Sequence, residues 1–299
     1  MKLLPSEGRF QELPASLQLS PGAVAQTTQT AVLDGLHVRR IAYHVSIGGR
    51  IAAGAGKLVV AYFPNQAGLA KINGRLWLDQ RLGVIHDDVE ISTSAPAVLE
   101  LIEIDIERFP LIRALISNAQ AGSNWVALLP ATSSVAARAE KQIRQAITSG
   151  IEMSREPHGF QTLVASLYRA IECGLAPEQH IPRDEGPRDA VKATKAYVWS
   201  NMCSDVALAV LADSIGCSPR TLSNYYLRLY GMSPMRYLKT MRLNHVRGLL
   251  RDPKCEQTIA DVAADHGFWH MGHFSEQYRY LFGETASETL RAARTPRCR

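Results

Sequence analysis

Arginine, asparagine and carboxylate side chains that could hydrogen-bond to the edges of nucleic-acid bases lie in two short stretches of this 299-residue chain. Arg220 could donate two hydrogen bonds to guanine, Asn224 could pair with adenine, and Glu276 could accept from the amino group of cytosine. The same side chains could instead be ordinary helix surface, and Arg279 could contact a phosphate without reading sequence. The pattern around them decides between these interpretations.

That pattern is an internal repeat, in which one supersecondary unit occurs twice. Each copy has a short apolar-periodic helix, a glycine that can adopt a positive φ angle, a tight turn, and a second amphipathic helix that ends at another glycine. This is the order of a helix-turn-helix, so we predict two such units, at about 206–230 and about 258–282. The matching pairs are Leu211 with Val262, Ala212 with Ala263, Gly216 with Gly267, Leu222 with Phe274, Tyr226 with Tyr278, and Gly231 with Gly283.

Helix start signals support this arrangement. Ser218-Pro219 places a capping hydroxyl before a proline at the first helical position, where the missing N–H costs nothing. Ser233-Pro234 repeats the signal at the start of a helix that would connect the two units. Such a helix would fix both recognition helices on one face, and successive major grooves of DNA lie about 34 Å apart. The spacing predicts a long, asymmetric half-site.

The region from about Asp189 to Ala292 resembles the DNA-binding domain of the AraC/XylS family of transcriptional regulators. The resemblance rests on Thr258–Ala263, Gly267-Phe268, Phe274-Ser275, Tyr278 and Leu281–Gly283. It implies two base-reading helices in one monomer, with double-stranded DNA as the partner. It also implies activation of nearby promoters, RNA polymerase as a further partner and a small-molecule effector, and it implies no cofactor.

The second unit departs from the family pattern at three positions. His270 stands where the family commonly has serine or aspartate, and Gly272 where it has serine, so the second recognition helix lacks the usual capping hydroxyl. Ala286 replaces a usual proline, although Thr285 with Glu288 still forms a capping box for the last helix. The base preference therefore cannot be copied from relatives.

Side chains off the apolar stripe near the start of each second helix are the candidates for DNA contact. They are Arg220, Thr221, Ser223 and Asn224 in the first unit, and His270, Met271, Gly272, Ser275, Glu276 and Arg279 in the second. The predicted core of the domain consists of Leu211, Ala212, Gly216, Leu222, Tyr226, Ile259, Val262, Ala263, Gly267, Phe268, Phe274 and Phe282.

A metal site at His266, His270 and His273 is the competing interpretation of three of these positions. Gly267-Phe268 interrupts the helix between the first two histidines. No cysteine or carboxylate completes a tetrahedral set, so we expect no metal.

The first part of the chain has a different pattern. Between Gly35 and about Leu111, short apolar runs alternate with turn signals, and Asn73-Gly74 is the strongest hairpin signal among them. This predicts a small antiparallel β-sandwich or barrel of the jelly-roll kind. From Ser133 to Gly174 the apolar period becomes helical and predicts two amphipathic helices. The family resemblance gives this region an effector pocket, whose residues the sequence does not identify.

These elements predict an α+β protein in three parts. An effector-binding and dimerisation domain spans 1–175, a polar linker with three prolines spans 176–188, and the DNA-binding domain spans 189–299. We expect the last segment to fold and bind DNA alone. The two helices of the first domain are assigned to a homodimer interface, with Ile143 and Leu167 on its apolar face. The alternative is that both helices pack wholly inside their own subunit.

Positive charge is concentrated in the last third of the chain, a distribution that is typical of proteins that bind nucleic acids. The net charge is +5, and from Arg188 onward there are 16 Lys and Arg against 10 Asp and Glu, which is +6. The residues before Arg188 carry 17 against 18. The basic excess therefore lies in the predicted DNA-binding domain, although a solvated basic face would look the same.

The composition indicates in which cellular compartment the protein is expected. Hydrophobic residues make up 46% of the chain, but no apolar run approaches the roughly 20 residues of a membrane-spanning helix. Proline and glutamate within Met1–Glu7 interrupt any signal peptide, so we expect a cytoplasmic protein with no membrane partner. The widely spaced cysteines argue against a disulfide framework and a zinc site; they are Cys173, Cys203, Cys217, Cys255 and Cys298.

Two enzyme classes are weighed against a regulator. A cupin-like metalloenzyme fused to a DNA-binding module is the alternative function, but it needs several converging ligands, and the first domain offers only His37, His44 and His86. A DNA-modifying enzyme would need a reactive cysteine, and all five look isolated. No nucleophile elbow, phosphate-binding loop or dinucleotide glycine pattern is present. We therefore expect no catalytic residues.

Overall fold

The structure is a computed structural model that divides the chain into two compact units. The first takes in Gln26–Tyr43 and Arg50–Arg183, and the second takes in Ser16–Ala25, His44–Gly49 and Asp184–Arg299. The described residues are 17–22, 26–51, 53, 56–64, 70–77, 82–94, 97–118, 125–130, 132–148, 157–181, 185–201 and 206–294. Cys203, Cys298 and part of the predicted linker lie outside them.

A six-stranded antiparallel sheet forms the centre of the first unit. Its strand order is β11-β8-β5-β10-β3-β2. The strands are β2 (Gln26–Leu33), β3 (Leu36–Tyr43), β5 (Lys57–Tyr62), β8 (Leu82–Ile85), β10 (Ala97–Asp105) and β11 (Val126–Leu129).

The remaining five strands make up a second sheet: β1 (Leu17–Gln18), β4 (Ile47–Ile51), β6 (Ala70–Ile72), β7 (Arg75–Trp77) and β9 (Val89–Thr93). Ile72 pairs with Arg75 across the hairpin, where Asn73 has φ 49° and Gly74 φ 77°. These angles suit a type I′ turn, as the Asn-Gly pair predicts.

The two sheets correct one detail of the predicted shape while the α+β class is confirmed. Trp77 of the second sheet contacts Phe63 edge to face at 5.0 Å and lies over Gly83 of the first. The six-stranded sheet nevertheless ends at β2 and β11, so of the two predicted shapes, sandwich or barrel, the two sheets do not form a closed barrel.

Helices α1 (Pro110–Asn118), α2 (Ser134–Thr148) and α3 (Pro157–Gly174) cover the other face of the six-stranded sheet. Ile143 and Leu167 are fully buried there, against Ile102 and Ile104. Their assignment to an exposed dimer face is wrong, because an apolar helical stripe does not show whether its partner is the helix's own sheet or another subunit. The stripe is part of the core of its own unit.

One carboxylate is fully buried in this core. Glu100 lies in register with Arg40 on β3 and with Tyr62 on β5, and both partners contact it. Burial and the neighbouring Glu100 carboxylate raise the pKa of Tyr62. Burial raises the pKa of Glu140 on α2 to about 7, with Glu100 adding to the effect. This polar group joins helix α2 to the sheet.

The second unit is mainly helical. Its helices are α4 (Glu185–Ser200), α5 (Leu208–Ser214), α6 (Pro219–Tyr230), α7 (Pro234–Leu250), α8 (Ile259–Ala264), α9 (Met271–Phe282) and α10 (Ala286–Arg294). Helix α4 begins at Glu185, inside the predicted linker. Pro187 does not prevent this, because it falls in the first helical turn, where a backbone N–H would have no partner within the helix. Among the described residues, no helix is long and apolar enough to cross a bilayer.

Candidate nucleic-acid interface

Helix α6 is positioned by its two ends and its buried face. The Ser218 side chain accepts a hydrogen bond from the Thr221 N–H at 3.0 Å, and Gly231 ends the helix with φ 71°. A side chain at that φ would be strained, which explains the glycine. Leu222, Tyr226, Leu229 and Tyr230 are buried in the core between α5, α6 and the first half of α7.

Helix α9 repeats this design with one part missing. It buries Phe274, Tyr278, Leu281 and Phe282 and ends at Gly283, with φ 68°. At its start, His270 makes no capping side-chain hydrogen bond. The start of α9 therefore lacks a capping side-chain hydrogen bond, as the absence of a serine hydroxyl from the sequence predicts.

The buried faces set the register between the two recognition helices. Leu222, Tyr226, Leu229 and Tyr230 correspond to Phe274, Tyr278, Leu281 and Phe282, each 52 positions later. By the same register, Arg220 corresponds to Gly272, Thr221 to His273, Asn224 to Glu276, and Arg228 to Tyr280. The two outward faces therefore carry different chemistry at matched positions.

Most of the predicted contact residues are exposed. These are Arg220, Asn224, His270, Met271, Gly272, Ser275, Glu276 and Arg279. Thr221 and Ser223 are half-buried, and both hydroxyls bond locally: Thr221 with the Ser218 hydroxyl and Ser223 with the Pro219 carbonyl, each at 2.8 Å. These two are less available to bases than the exposed set.

Sequence reasoning missed three outward residues, His273, Tyr280 and Arg228. Tyr280 is 67% exposed, and the His273 side chain is 76% exposed, with Nδ1 at 3.9 Å from an Oε2 of Glu276. Arg228 is exposed on α6. The repeat could have identified His273 as an outward residue, since His273 corresponds to Thr221, which was a candidate for DNA contact.

The predicted core residues of the two units lie mostly in the interior. Leu211, Ala212, Leu222, Tyr226, Val262 and Ala263 have no exposed surface, and Phe274 and Phe282 are 1% exposed. Ile259, Gly267 and Phe268 are partly exposed, and Gly216 is exposed. Gly216 and Gly267 have φ 69° and 77°, so they are required for backbone conformation rather than for burial.

A partly buried ion pair connects helix α7 to the segment that follows α9. Arg247 donates to a Glu284 carboxylate oxygen from Nε at 3.0 Å and from Nη2 at 2.5 Å, and its guanidinium lies 4.5 Å from the centre of the Phe282 ring. Tyr278 OH and Thr289 Oγ1 are 2.9 Å apart, and burial raises the pKa of Tyr278 to about 12. These contacts orient the second recognition helix.

His266 is engaged in a histidine pair. Its Nδ1 lies 2.7 Å from the Val262 carbonyl oxygen, and its Nε2 lies 2.6 Å from Nδ1 of His245. Burial, with His266 beside it, lowers the pKa of His245 to about 4, so the His245 ring is neutral near pH 7. Across the described ranges, no three His, Cys, Asp or Glu side chains form a cluster that could hold a metal ion.

An N-terminal strand also belongs to this unit. The Gln18 N–H donates to Asn244 Oδ1 at 3.0 Å, and Asn244 Nδ2 donates to the Gln18 carbonyl at 3.1 Å. The Gln18 side-chain amide donates to the carbonyls of Ser20, Gly22 and Leu281. Strand β1 therefore joins the middle of α7 to the end of α9.

Leu19, the next residue, is buried in the core of the first helix-turn-helix unit. The core of residues 189–299 is therefore not self-contained, because a residue from the other end of the chain contributes to it.

Comparisons with known proteins match this second unit. Residues 211–292 match the family model described as a helix-turn-helix domain. A XylDLEGF operon transcriptional activator from Pseudomonas putida is 36% identical over 96 residues, which cover 32% of this chain and 30% of the relative. The transcriptional activator RhaS from Pectobacterium atrosepticum is 30% identical over 156 residues, which cover 50% of this chain and 54% of the relative.

A crystal structure of a probable AraC family transcriptional regulator from Rhodopseudomonas palustris is 36% identical, with a TM-score of 0.33, and covers 36% of this chain and 99% of that one. The chain spans less than two thirds of the length of the two activators. The matched residues are a helix-turn-helix DNA-binding domain. These residues are similar to the DNA-binding domains of AraC/XylS-type transcriptional regulators.

Proposed function

We propose that this chain is a sequence-specific DNA-binding transcription factor that activates nearby promoters in response to a small-molecule effector. One observation carries the proposal: α6 and α9 bury matching faces on the two ends of one connecting helix and leave Arg220, Asn224 and Glu276 exposed. Arginine, asparagine and glutamate are side chains that discriminate base pairs in the major groove. The named activators among the relatives favour this reading over the cupin-like metalloenzyme.

Selection of binding sites from a pool of random duplexes tests the DNA-binding part. We expect an enriched site with two conserved blocks about one helical turn apart, one for each recognition helix. An Arg220→Ala, Asn224→Ala double variant should lose conservation in one block only. Enrichment of no sequence by the wild-type chain would contradict the proposal.

Activation requires RNA polymerase, and the first unit would hold the effector. The support for both is the similarity of the DNA-binding domain to the named transcriptional activators. In vitro transcription from a selected site, with and without the low-molecular-weight fraction of a cell extract, tests them together. We expect transcription to depend on the protein and to change with the extract fraction. Since chromosomal DNA is the partner, we place the protein in the cytoplasm.

A homodimer is also proposed, through the helical layer of the first unit. A groove of about 1200 Å³ lies between α1, α2 and α3, and its lining includes Phe109, Val135, Phe160 and Val164 together with Leu111, which is 76% exposed. A second copy would cover this apolar surface.

Light scattering of a Leu111→Glu variant tests this interface. We expect the variant to be monomeric if the groove pairs with its symmetry mate. Leu76→Glu, at a residue that is 53% exposed in the β6–β7 hairpin, is the matched control. A dimeric Leu111→Glu protein would place the interface elsewhere.

A further inference from the structure

A basic cleft of about 420 Å³ lies beside the first turn of α9. Helix α7 contributes Met235, Lys239 and Arg242, and the segment at the start of α9 contributes Trp269, His270, His273 and Gln277. Lys239 is exposed and Arg242 is half-buried. Among the described residues that line this cleft, none is an aspartate or a glutamate. Its chemistry is that of a site for an anion.

Trp269 distinguishes the cleft from the rest of the surface. Its side chain is 66% exposed, whereas Trp77 and Trp125 are 2% and 4% exposed. The indole N–H is a donor with no acceptor function, and the ring is a flat apolar surface. A partner that offers an acceptor oxygen beside an apolar ring, as a phosphate beside a deoxyribose does, matches both properties.

The position of the cleft relative to α9 identifies the partner. An α-helix with its side chains is about 10–12 Å across, and the major groove is about 12 Å wide, so a helix in the groove has a sugar–phosphate backbone on each flank. His273 is on the outward face of α9 and also lines the cleft. The cleft is therefore on one flank of the recognition helix, within reach of that backbone.

We propose that this cleft binds the sugar–phosphate backbone of DNA at the edge of the groove that α9 enters. Lys239 neutralises a phosphate, and Trp269 packs on the adjacent sugar and donates its N–H. The inference rests on the proposed function and deepens it. Helix α9 has Gly272 where α6 has Arg220, so the second unit gains through backbone contacts the affinity that it lacks from an arginine base contact.

Salt dependence of DNA binding by the full-length chain tests the charged part. The probe is a 40-bp duplex of mixed sequence, and the variants are Lys239→Ala and Arg75→Ala, an exposed arginine in the β6–β7 hairpin that serves as the charge-matched control. Each phosphate contact contributes about 0.9 to the slope of log K against log salt. Between 50 and 200 mM salt, the affinity advantage of the wild type over Lys239→Ala should shrink by about 3.5-fold.

The possible outcomes distinguish a failure of the cleft proposal from a failure of the proposed DNA-binding function. A Lys239→Ala slope equal to that of the wild type and of Arg75→Ala would overturn the cleft proposal while leaving DNA binding intact. A loss confined to a selected site, with the mixed-sequence duplex unaffected, would also overturn it, because a phosphate contact is independent of sequence. Failure of the wild type to bind any duplex would refute the proposed function itself.

Trp269 has its own readout. Trp269→Ala should weaken binding to all duplexes without changing the salt slope, since the indole is neutral. DNA should also protect the wild-type protein from acrylamide quenching of tryptophan fluorescence, and Trp269→Phe should abolish the protected component. Unchanged affinity of Trp269→Ala together with undiminished protection in Trp269→Phe would remove the indole from the interface.

Discussion

Replacing Gln18 by alanine should loosen the DNA-binding unit although residue 18 is 226 positions from Asn244 in the sequence. The side chain is 4% exposed, and its amide donates to Ser20 O at 2.8 Å, to Gly22 O at 2.9 Å and to Leu281 O. An amide has two N–H groups, so these contacts amount to about two full hydrogen bonds. At roughly 0.5–1.5 kcal/mol each, Gln18→Ala should cost about 1–3 kcal/mol.

Hydrogen–deuterium exchange measured peptide by peptide is the assay, because it reports opening of the second unit separately from the first. A cost of 1–3 kcal/mol corresponds to exchange about 5- to 150-fold faster in α7 and at the end of α9. Gln29→Ala, at an exposed position of β2, is the matched control and should change neither. Equal protection of α7 and α9 in Gln18→Ala and wild type would refute the assignment of β1 to this unit.

Three further predictions concern the recognition helices and their support. Arg220→Ala should cost about 1–3 kcal/mol on a selected site and relax specificity at one base pair; an equal loss on every sequence would make Arg220 a phosphate contact. Nothing lies within 4 Å of a Cβ built on Gly272 or Gly248, so alanine at either position should raise stability by up to about 1 kcal/mol in thermal unfolding. Only Gly272→Ala should also alter DNA affinity, and equal affinities would show that the backbone of α9 does not approach DNA there. Burial holds the pKa of His245 near 4, below the 6.5 of an unperturbed histidine, so the unfolded chain takes up the proton first. The stability of the second unit should therefore fall as the pH drops from 6.5 to 4, and His245→Gln, followed by thermal unfolding across that range, should lose this component.

Local signals predicted the helix-turn-helix units well because each depends on residues close in sequence. Ser218 caps α6, and the glycines at positive φ end helices, through contacts that span a few residues. The apolar period of Leu222 and Tyr226 likewise predicted which face of α6 is buried. The sequence could not show what covers a face, so the stripe containing Ile143 was assigned to a partner subunit although its own sheet covers it.

Contacts between distant parts of the chain escaped prediction for the same reason. Nothing near Gln18 or Leu19 indicates a helical partner more than 200 residues away, and β1 has only two residues, too few for a periodic pattern. The burial of the Glu100 carboxylate could not be predicted either, because an isolated charged residue in a strand is usually exposed. Its neutralisation depends on Arg40, a cross-strand neighbour that only the register identifies.

The second unit is assembled from more than one segment of the chain. Division at a single linker, 176–188, would make each unit one continuous segment. The chain instead passes from one unit to the other at 25/26, 43/44 and 49/50 as well as at 183/184. Residues 17–22 and 44–49 thus belong to the second unit, although residues 44–49 lie between segments of the first unit in the sequence. Since Gln18 bonds to α7 and to the end of α9, segments from distant parts of the chain hold the second unit together, and a fragment limited to 189–299 would lack these contacts.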